Sequence, residues 1–303
     1  MAQQNQQKKK LYAGIEAGGT KFNCLIANSP TDIIASTTLP TTTPNETLAA
    51  SSDFFKEQIK IHGELEALGI ACFGPVDLKT DSPTFGYITA TPKEHWSGSD
   101  VVGHYRSSLG IPVAFDTDVN GAALGEHLYG AARGLNDFIY VTIGTGIGAG
   151  VFANGAPVNG MVHTEIGHML VSRERERTTF KGICPFHDNC LTSLAAGPAI
   201  EARWNKPGND LPPDHEAWDL EAYYLAVMCM NLSLSFSPEK IILGGGVMSQ
   251  SHLYSKIRQH YKDLMNGYML PTLALEDYIV APGLPDRSGQ VGALALSMSL
   301  AQG

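Results

Sequence analysis

Long apolar runs are missing from this chain. No stretch of its 303 residues approaches the ~18 consecutive apolar residues of a membrane-spanning helix, so a helical membrane protein is excluded. Cysteine is scarce as well. Cys24, Cys72, Cys184, Cys190 and Cys229 are too few and too scattered for a disulfide framework, and an odd count fits a reducing compartment. Positive charge is in deficit, with 21 Lys plus Arg against 30 Asp plus Glu, a formal charge of −9 and a pI near 5.5. A nucleic-acid partner is therefore not expected. The opening MAQQNQQKKK has a basic cluster but no apolar h-region behind it, because Glu16 and Lys21 interrupt the run begun at Leu11. These absences predict a soluble, cytoplasmic protein with no membrane partner, whose residues 1–10 form a solvated flexible tail.

What is present suffices for a large core: 43% hydrophobic and 17% charged residues are near the average of soluble globular proteins. The length is about twice that of one ~150-residue domain, so two units are expected. Glycine is in excess, at 32 residues against a usual ~7%, and without a Gly-X-Y period this means many tight turns.

Alternating or continuous apolar residues predict strands at 11–16, 22–27, 33–39, 68–73, 112–115, 138–143, 151–153 and 240–243. Helical spacing predicts helices at 45–61, with Phe54, Phe55, Ile59 and Ile61 on the apolar side, and at 101–109 and 118–129. Further helices are expected near 191–204, 215–236, 249–265 and 288–300. Met228 and Met230 on the long helix, and Cys24, Cys72 and Cys229, read as core. Strand–helix alternation with short apolar strands indicates an α/β fold whose sheets are covered on both faces. Each half opens on a glycine-turned hairpin, at Ala17–Thr20 and at Gly144–Gly150, which suggests a duplicated architecture.

Neither glycine segment is a standard nucleotide motif. The run from Gly144 to Gly150 contains G-x-G-x-x-A, with Glu165 downstream, but a dinucleotide fingerprint needs a helix where Val151, Phe152 and the Asn154-Gly155 turn indicate a hairpin. Gly14 to Lys21 nearly spells a P-loop, yet Thr20 stands where Lys is required and a strand follows. Either can be an ordinary hairpin turn, or can turn backbone N–H groups toward a phosphate with no side chain in the way.

Cys184-Pro-Phe-His187-Asp-Asn-Cys190 places three soft or borderline ligands within seven residues, with His163 and His168 upstream. Three close ligands and one distant one suit tetrahedral zinc, and a shell closed by four protein ligands is structural.

The segments Gly14-Ile-Glu16-Ala-Gly18-Gly19-Thr20-Lys21, Phe115-Asp116-Thr117-Asp118-Val-Asn120, Gly144-Thr145-Gly146-Ile-Gly148 and Gly244-Gly245-Gly246-Val-Met248 occur in the order and spacing of the ROK family of sugar kinases and repressors. From about residue 11 to residue 300 the chain resembles that family, most of all its bacterial zinc-containing fructokinase branch. The resemblance implies the actin-like, ribonuclease-H-like duplicated two-domain fold with a nucleotide between the domains. The smaller domain would be 11–122 plus the helix 288–301; the larger would be 123–287, carrying the zinc loop 163–192. It further implies that Gly18, Gly19, Thr20, Lys21, Gly144, Thr145 and Gly146 bind the ATP phosphates and Gly244, Gly245 and Gly246 the adenosine. Glu16 would hold magnesium, and His168, Cys184, His187 and Cys190 the zinc. Asp118 resembles the catalytic aspartate, and Thr117, Glu165 and Thr192 would line the sugar.

On this reading the chain is an ATP-dependent hexose kinase, converting D-fructose to fructose 6-phosphate, with ATP, Mg2+ and structural Zn2+ as cofactors and a homodimer by likeness. Kinases for mannose, glucose or an N-acetylated hexosamine are the neighbouring possibilities. A catalytically weak sugar-binding or regulatory protein is the rival from another class; a filament-forming or chaperone-like ATPase is disfavoured by the zinc loop and the length. Close fructokinases carry Glu two residues after the final zinc cysteine, where this chain has Thr192. Threonine has no charge and a shorter reach, so a charge-assisted bond to the sugar is expected to be absent.

Overall fold

The computed structural model describes residues 9–268 and 274–302. Most of the N-terminal tail expected at 1–10 lies outside them; Lys9 and Lys10 are exposed. The chain divides into two compact units, one reaching to Gly125 and resuming at Arg287, the other spanning Glu126–Asp286.

In chain order the first unit contains β1 (Tyr12–Ala17), β2 (Lys21–Ser29), β3 (Asp32–Pro40), α1 (Pro44–His62), β4 (Leu68–Cys72), β5 (Tyr87–Ile88), β6 (Ser99–Asp100), α2 (Val101–Leu109), β7 (Val113–Thr117) and the start of α3 (Asp118–Tyr129). Its sheet runs β3-β2-β1-β4-β7, antiparallel through the first three strands and parallel from β1 to β7. The central strand β4 is buried on both faces, at all of its residues, Cys72 included, whereas the edge strand β7 alternates buried and half-buried positions. Phe22, Phe55, Trp96 and Tyr105 are the largest side chains of the core on the α1 and α2 side. α1 begins at Pro44 with a capping box formed by Thr43 and Glu46, the N-terminal signal its sequence carries.

The second unit continues with β8 (Phe138–Ile143), β9 (Ile147–Ala153), β10 (Ala156–Pro157), α4 (Leu191–Ala195), α5 (Gly197–Trp204), α6 (Ala217–Phe236), β11 (Lys240–Gly244), α7 (Leu253–Met265), α8 (Leu275–Tyr278) and β12 (Ile279–Val280). Its sheet order is β10-β9-β8-β11-β12. Here too an antiparallel run through a glycine hairpin is followed by parallel partners, so the unit repeats the strand order and direction of the first. α6 is apolar all round and buried along most of its length, with Met228 and Cys229 in the core, as a helix must be when it is covered on several sides. The chain then returns to the first unit as α9 (Ser288–Leu300), which packs on β1, β4 and β7. Contact there is backbone to backbone: a Cβ on Gly69 would lie 2.0 Å from the Ala293 oxygen, and one on Gly292 would lie 1.7 Å from the Gly121 oxygen.

Several sequence expectations change. Ile61 is 62% exposed and does not belong to the buried side of α1, whose last three residues are all exposed. The expected helix 191–204 is two helices, because Ala196 is extended ahead of Gly197 and Pro198. The strand expected at 151–153 starts at Ile147, since glycines in a hairpin can pair as well as turn. A short 3-10 turn, Gly246–Ser249, precedes α7, which begins at Leu253 and not near 249. β5 and β6, at which no strand is expected above, pair as a small antiparallel ribbon between β4 and α2.

One buried carboxylate holds the second unit's chain turns together. Glu126 is fully buried and accepts from Ala131 N (2.7 Å), Gly283 N (2.8 Å) and Leu284 N (3.0 Å). Glu126→Ala leaves these donors without their charged acceptor, and charge-assisted bonds contribute roughly 1.5–3 kcal/mol each. The variant is expected to be destabilised by about 3 kcal/mol or more, read as a lower denaturant midpoint.

Candidate functional site

In the first unit the parallel register sets the geometry. Ala17 pairs with Cys72 and Cys72 with Thr117, so the carboxyl ends of β1, β4 and β7 finish level. The loop Gly18–Thr20 and Asp118 therefore leave one edge of one sheet, the edge at which α/β sheets bind ligands. The hairpin closes through Gly18 N donating to Lys21 O (2.9 Å), and Thr41 braces it, its N donating to Thr20 O and its Oγ1 to Gly18 O (2.7 Å). A Cβ on Gly19 would meet nothing within 4 Å, so no side chain keeps an anion from the main chain at the tip of this turn.

Glu16, the last but one residue of β1, is half-buried and accepts from Asn23 Nδ2 (2.8 Å). A Cβ on Gly289, in the first turn of α9, would lie 2.3 Å from Glu16 Oε1, so glycine there is what leaves room for the carboxylate. An oxygen donor fixed at the strand's carboxyl end suits magnesium, which takes one or two carboxylates and completes its shell with phosphate and water.

Asp118 is half-buried at the first position of α3. It is not the helix cap. Thr117 Oγ1 accepts from Asn120 N (3.0 Å), which makes the buried Thr117 the cap, while Asp118 Oδ1 accepts from Val119 N (2.9 Å). Asp116 ties off the strand end, with Oδ1 accepting from Thr117 N and from the Asn120 side chain, each at 2.7 Å. Burial, and to a lesser degree the negative charge of Asp118, push the Cys72 thiol well above its usual range. Asn120, whose side chain steadies Asp116, has no sequence signal beyond its place in the Asp-Thr-Asp-Val-Asn segment.

In the second unit two glycine loops converge. β8 and β9 pair up to Ile143 and Ile147, leaving Gly144, Thr145 and Gly146 as a three-residue loop closed by Gly144 N donating to Gly146 O (2.9 Å). β11 runs parallel to β8 with Gly244 opposite Thr142, so Gly245 and Gly246 emerge beside that loop. Gly245 has φ of 91°, and a Cβ on it would lie 2.4 Å from the Ile143 oxygen. Both the left-handed conformation and the close approach require glycine there. Gly144, Gly146 and Gly246 would each carry a Cβ into open space, so no side chain stands between an anion and this stretch of main chain.

Below these loops His168, Cys184, His187 and Cys190 gather their ligand atoms within 4.8 Å of one another. Cys184 Sγ and Cys190 Sγ stand 3.8 and 3.7 Å from His168 Nδ1. Tetrahedral zinc, with Zn–S of about 2.3 Å and Zn–N of about 2.0–2.1 Å, would set a sulfur and a nitrogen about 3.6 Å apart. The donor set fits. Burial above all, and the Cys184 sulfur beside it, push the Cys190 thiol up to about 11, a cost that a divalent cation reverses by deprotonating the sulfur it binds. The cluster contains the four residues expected; His163 is outside it, buried, with Nδ1 3.4 Å from Glu165 Oε1. The long segment between His168 and Cys184 is fastened by Arg203, whose Nε donates to Glu176 Oε2 (3.1 Å) with both side chains buried.

Glu165 is exposed just before the 3-10 turn Ile166–His168, which puts it and His168 on one rigid turn. Thr192 is half-buried and its hydroxyl is engaged with main chain: Ile147 N donates to Oγ1 at 3.2 Å, and Oγ1 reaches Ile147 O at 3.4 Å.

The profile of the ROK family matches residues 12–299. The chain belongs to the ROK family. Among curated relatives of this ROK protein, the fructokinase of Pediococcus pentosaceus is 44% identical over 289 residues, covering 95% of this chain and 98% of its own. The fructokinase of Zymomonas mobilis is 42% identical over 294 residues, covering 96% and 97%. The crystal structure of the ROK hexokinase from Thermus thermophilus superposes with a TM-score of 0.76 at 23% identity, covering 97% of this chain and all of that one. A ROK glucokinase from Streptomyces griseus, solved with glucose and AMPPNP, gives 0.73 at 22% identity, covering 95% and 99%. The ROK chain therefore has the actin-like, duplicated α/β sugar-kinase fold, in keeping with the repeated strand order of its two sheets. Among the described residues no helix is long and apolar enough to cross a membrane.

Proposed function

We propose that this ROK protein is an ATP-dependent hexose kinase that transfers the γ-phosphoryl group to the 6-hydroxyl of D-fructose. The observation that carries the reading is full-length identity of 41–44% to several fructokinases, joined to an aspartate and open glycine turns at the carboxyl edges of the two sheets.

Residue roles follow from chemistry. The peptides of Gly18–Thr20, with Lys21, and of Gly144–Gly146 bind the ATP phosphates, and Gly244–Gly246 the adenosine. Magnesium, held through Glu16, neutralises charge on the transferring group when bound. Asp118 orients the sugar hydroxyl and takes its proton late in a loose transition state, where position counts for more than basicity. Glu165 accepts from sugar hydroxyls, with His163 alongside it and Thr117 supporting the helix start next to Asp118. Zinc at His168, Cys184, His187 and Cys190 is structural and stiffens the turn that carries Glu165. The two compact units correspond to the smaller and larger kinase domains, and the protein works as a cytoplasmic homodimer.

A coupled ADP-release assay over fructose, glucose, mannose and N-acetylated hexosamines tests this. The expected result is sugar-dependent release with the highest kcat/KM for fructose. Release that needs no sugar would indicate an ATPase, and silence with every sugar a binding protein.

A further inference from the structure

The segment that follows the last metal ligand touches both ends of the glycine loop at Gly144–Gly146. Cys190 caps α4 and belongs to the metal cluster. Within the first turn of α4, Thr192 Oγ1 engages both the N–H and the C=O of Ile147, the residue that closes the loop on the β9 side. Just beyond α4, at the first residue of α5, Gly197 N donates to Gly144 O at 2.8 Å on the β8 side of the loop. Ser193, between them, holds the cluster's other cysteine, its Oγ accepting from Ile183 N (2.9 Å) and Cys184 N (3.1 Å).

The space around Thr192 is fully used. A Cβ on Gly167 would lie 1.8 Å from the Ile147 oxygen and 2.7 Å from Thr192 Oγ1, so the turn between Glu165 and His168 is pressed onto the same pair of groups. A hydroxyl is the smallest side-chain group that both accepts from an N–H and donates to a carbonyl. A carboxylate can accept from Ile147 N but cannot donate to Ile147 O.

We infer that Thr192 is a positioning residue for the glycine loop Gly144–Gly146, acting through Ile147 on the phosphate-binding peptides and not through a bond to the sugar. This rests on the kinase reading for its consequence and goes beyond it in assigning position 192 to the nucleotide. With the hydroxyl in place the first residue of β9 is held at both its backbone groups, and the loop Gly144–Gly146 keeps the conformation in which it meets a phosphate. Without it the loop keeps its β8–β9 pairing and the bond at Gly144 but loses its side-chain anchor at Ile147, and ordering it again on nucleotide binding costs affinity.

Thr192→Val removes the hydroxyl at nearly constant shape, Thr192→Ala removes it where the branched side chain is not accommodated, and Thr192→Ser keeps it. In the full-length protein, faster hydrogen exchange of the Ile147 amide is expected for Val and Ala. A rise of about three- to tenfold in the KM for ATP and in the Kd of a non-hydrolysable ATP analogue should accompany it, the equivalent of one neutral hydrogen bond. The KM for fructose should stay unchanged, and Ser should behave as wild type. A raised fructose KM with unchanged analogue affinity and Ile147 exchange would overturn the inference and place Thr192 at the sugar. Val and Ala variants matching wild type in every measurement, or a Ser variant that fails to restore them, would overturn it as well. If wild-type protein phosphorylates no hexose, the kinase reading fails, while amide exchange and analogue affinity still decide the role of Thr192.

Discussion

Asp118→Asn is expected to lower sugar-dependent turnover by about 10²–10⁴-fold, the range for loss of a general base. The Kd for ATP should hardly change. The substitution is close to isosteric, and Thr117 rather than Asp118 caps α3, so the helix keeps its start. The Val119 N–H retains an acceptor in the Asn side-chain oxygen. What disappears is a negative charge at a helix N-terminus, where the dipole stabilises anions by about 0.3–1 kcal/mol. In a loose transition state the hydroxyl has to be aimed before its proton departs, so position counts for more than basicity. Rapid-mixing kinetics with a separate nucleotide titration check the split. Residual turnover above about a tenth of wild type would mean that Asp118 is not the group on the acceptor hydroxyl.

Metal removal should have the second largest effect. Elemental analysis of the purified protein is expected to find one zinc per chain, bound by His168, Cys184, His187 and Cys190. Stripping it, or replacing Cys190 by Ser, leaves a cluster of polar groups, with Cys190 buried among them, without a common partner, and such sites lose several kcal/mol. For a unit of this size each kcal/mol lowers Tm by about 2–4 °C, so a fall of ~10 °C is expected. Hydrogen exchange should rise most between 168 and 192, since that segment owes much of its order to ligands at its two ends and to the Arg203–Glu176 pair at its middle. An active, equally stable protein containing no metal would remove zinc from the account.

Legibility in the sequence tracked how local each signal was. The helix at Asp118–Tyr129 and the strand at Phe138–Ile143 fall where apolar spacing and flanking glycine put them, because period and punctuation are written in consecutive residues. The metal quartet was readable for a similar reason: three of its four ligands lie within seven residues, and chemistry limits what such a set can bind. Ile61 has the helical spacing of the apolar side yet is exposed, because spacing reports which residues share a face, whereas burial depends on what packs over that face.

By itself the sequence determined the family, the alternation of strands and helices, the two glycine hairpins and the identity of the chemical groups at the site. Only the tertiary structure decided what those groups are bonded to. Gly245 lies on the Ile143 backbone, Thr117 takes the cap that leaves Asp118's carboxylate out of it, and Thr192 holds Ile147 in a strand 45 residues earlier. The physical reason is that a polar side chain meets its hydrogen-bonding requirement with whichever partner packing brings within about 3 Å. Packing brings together residues that no local pattern connects.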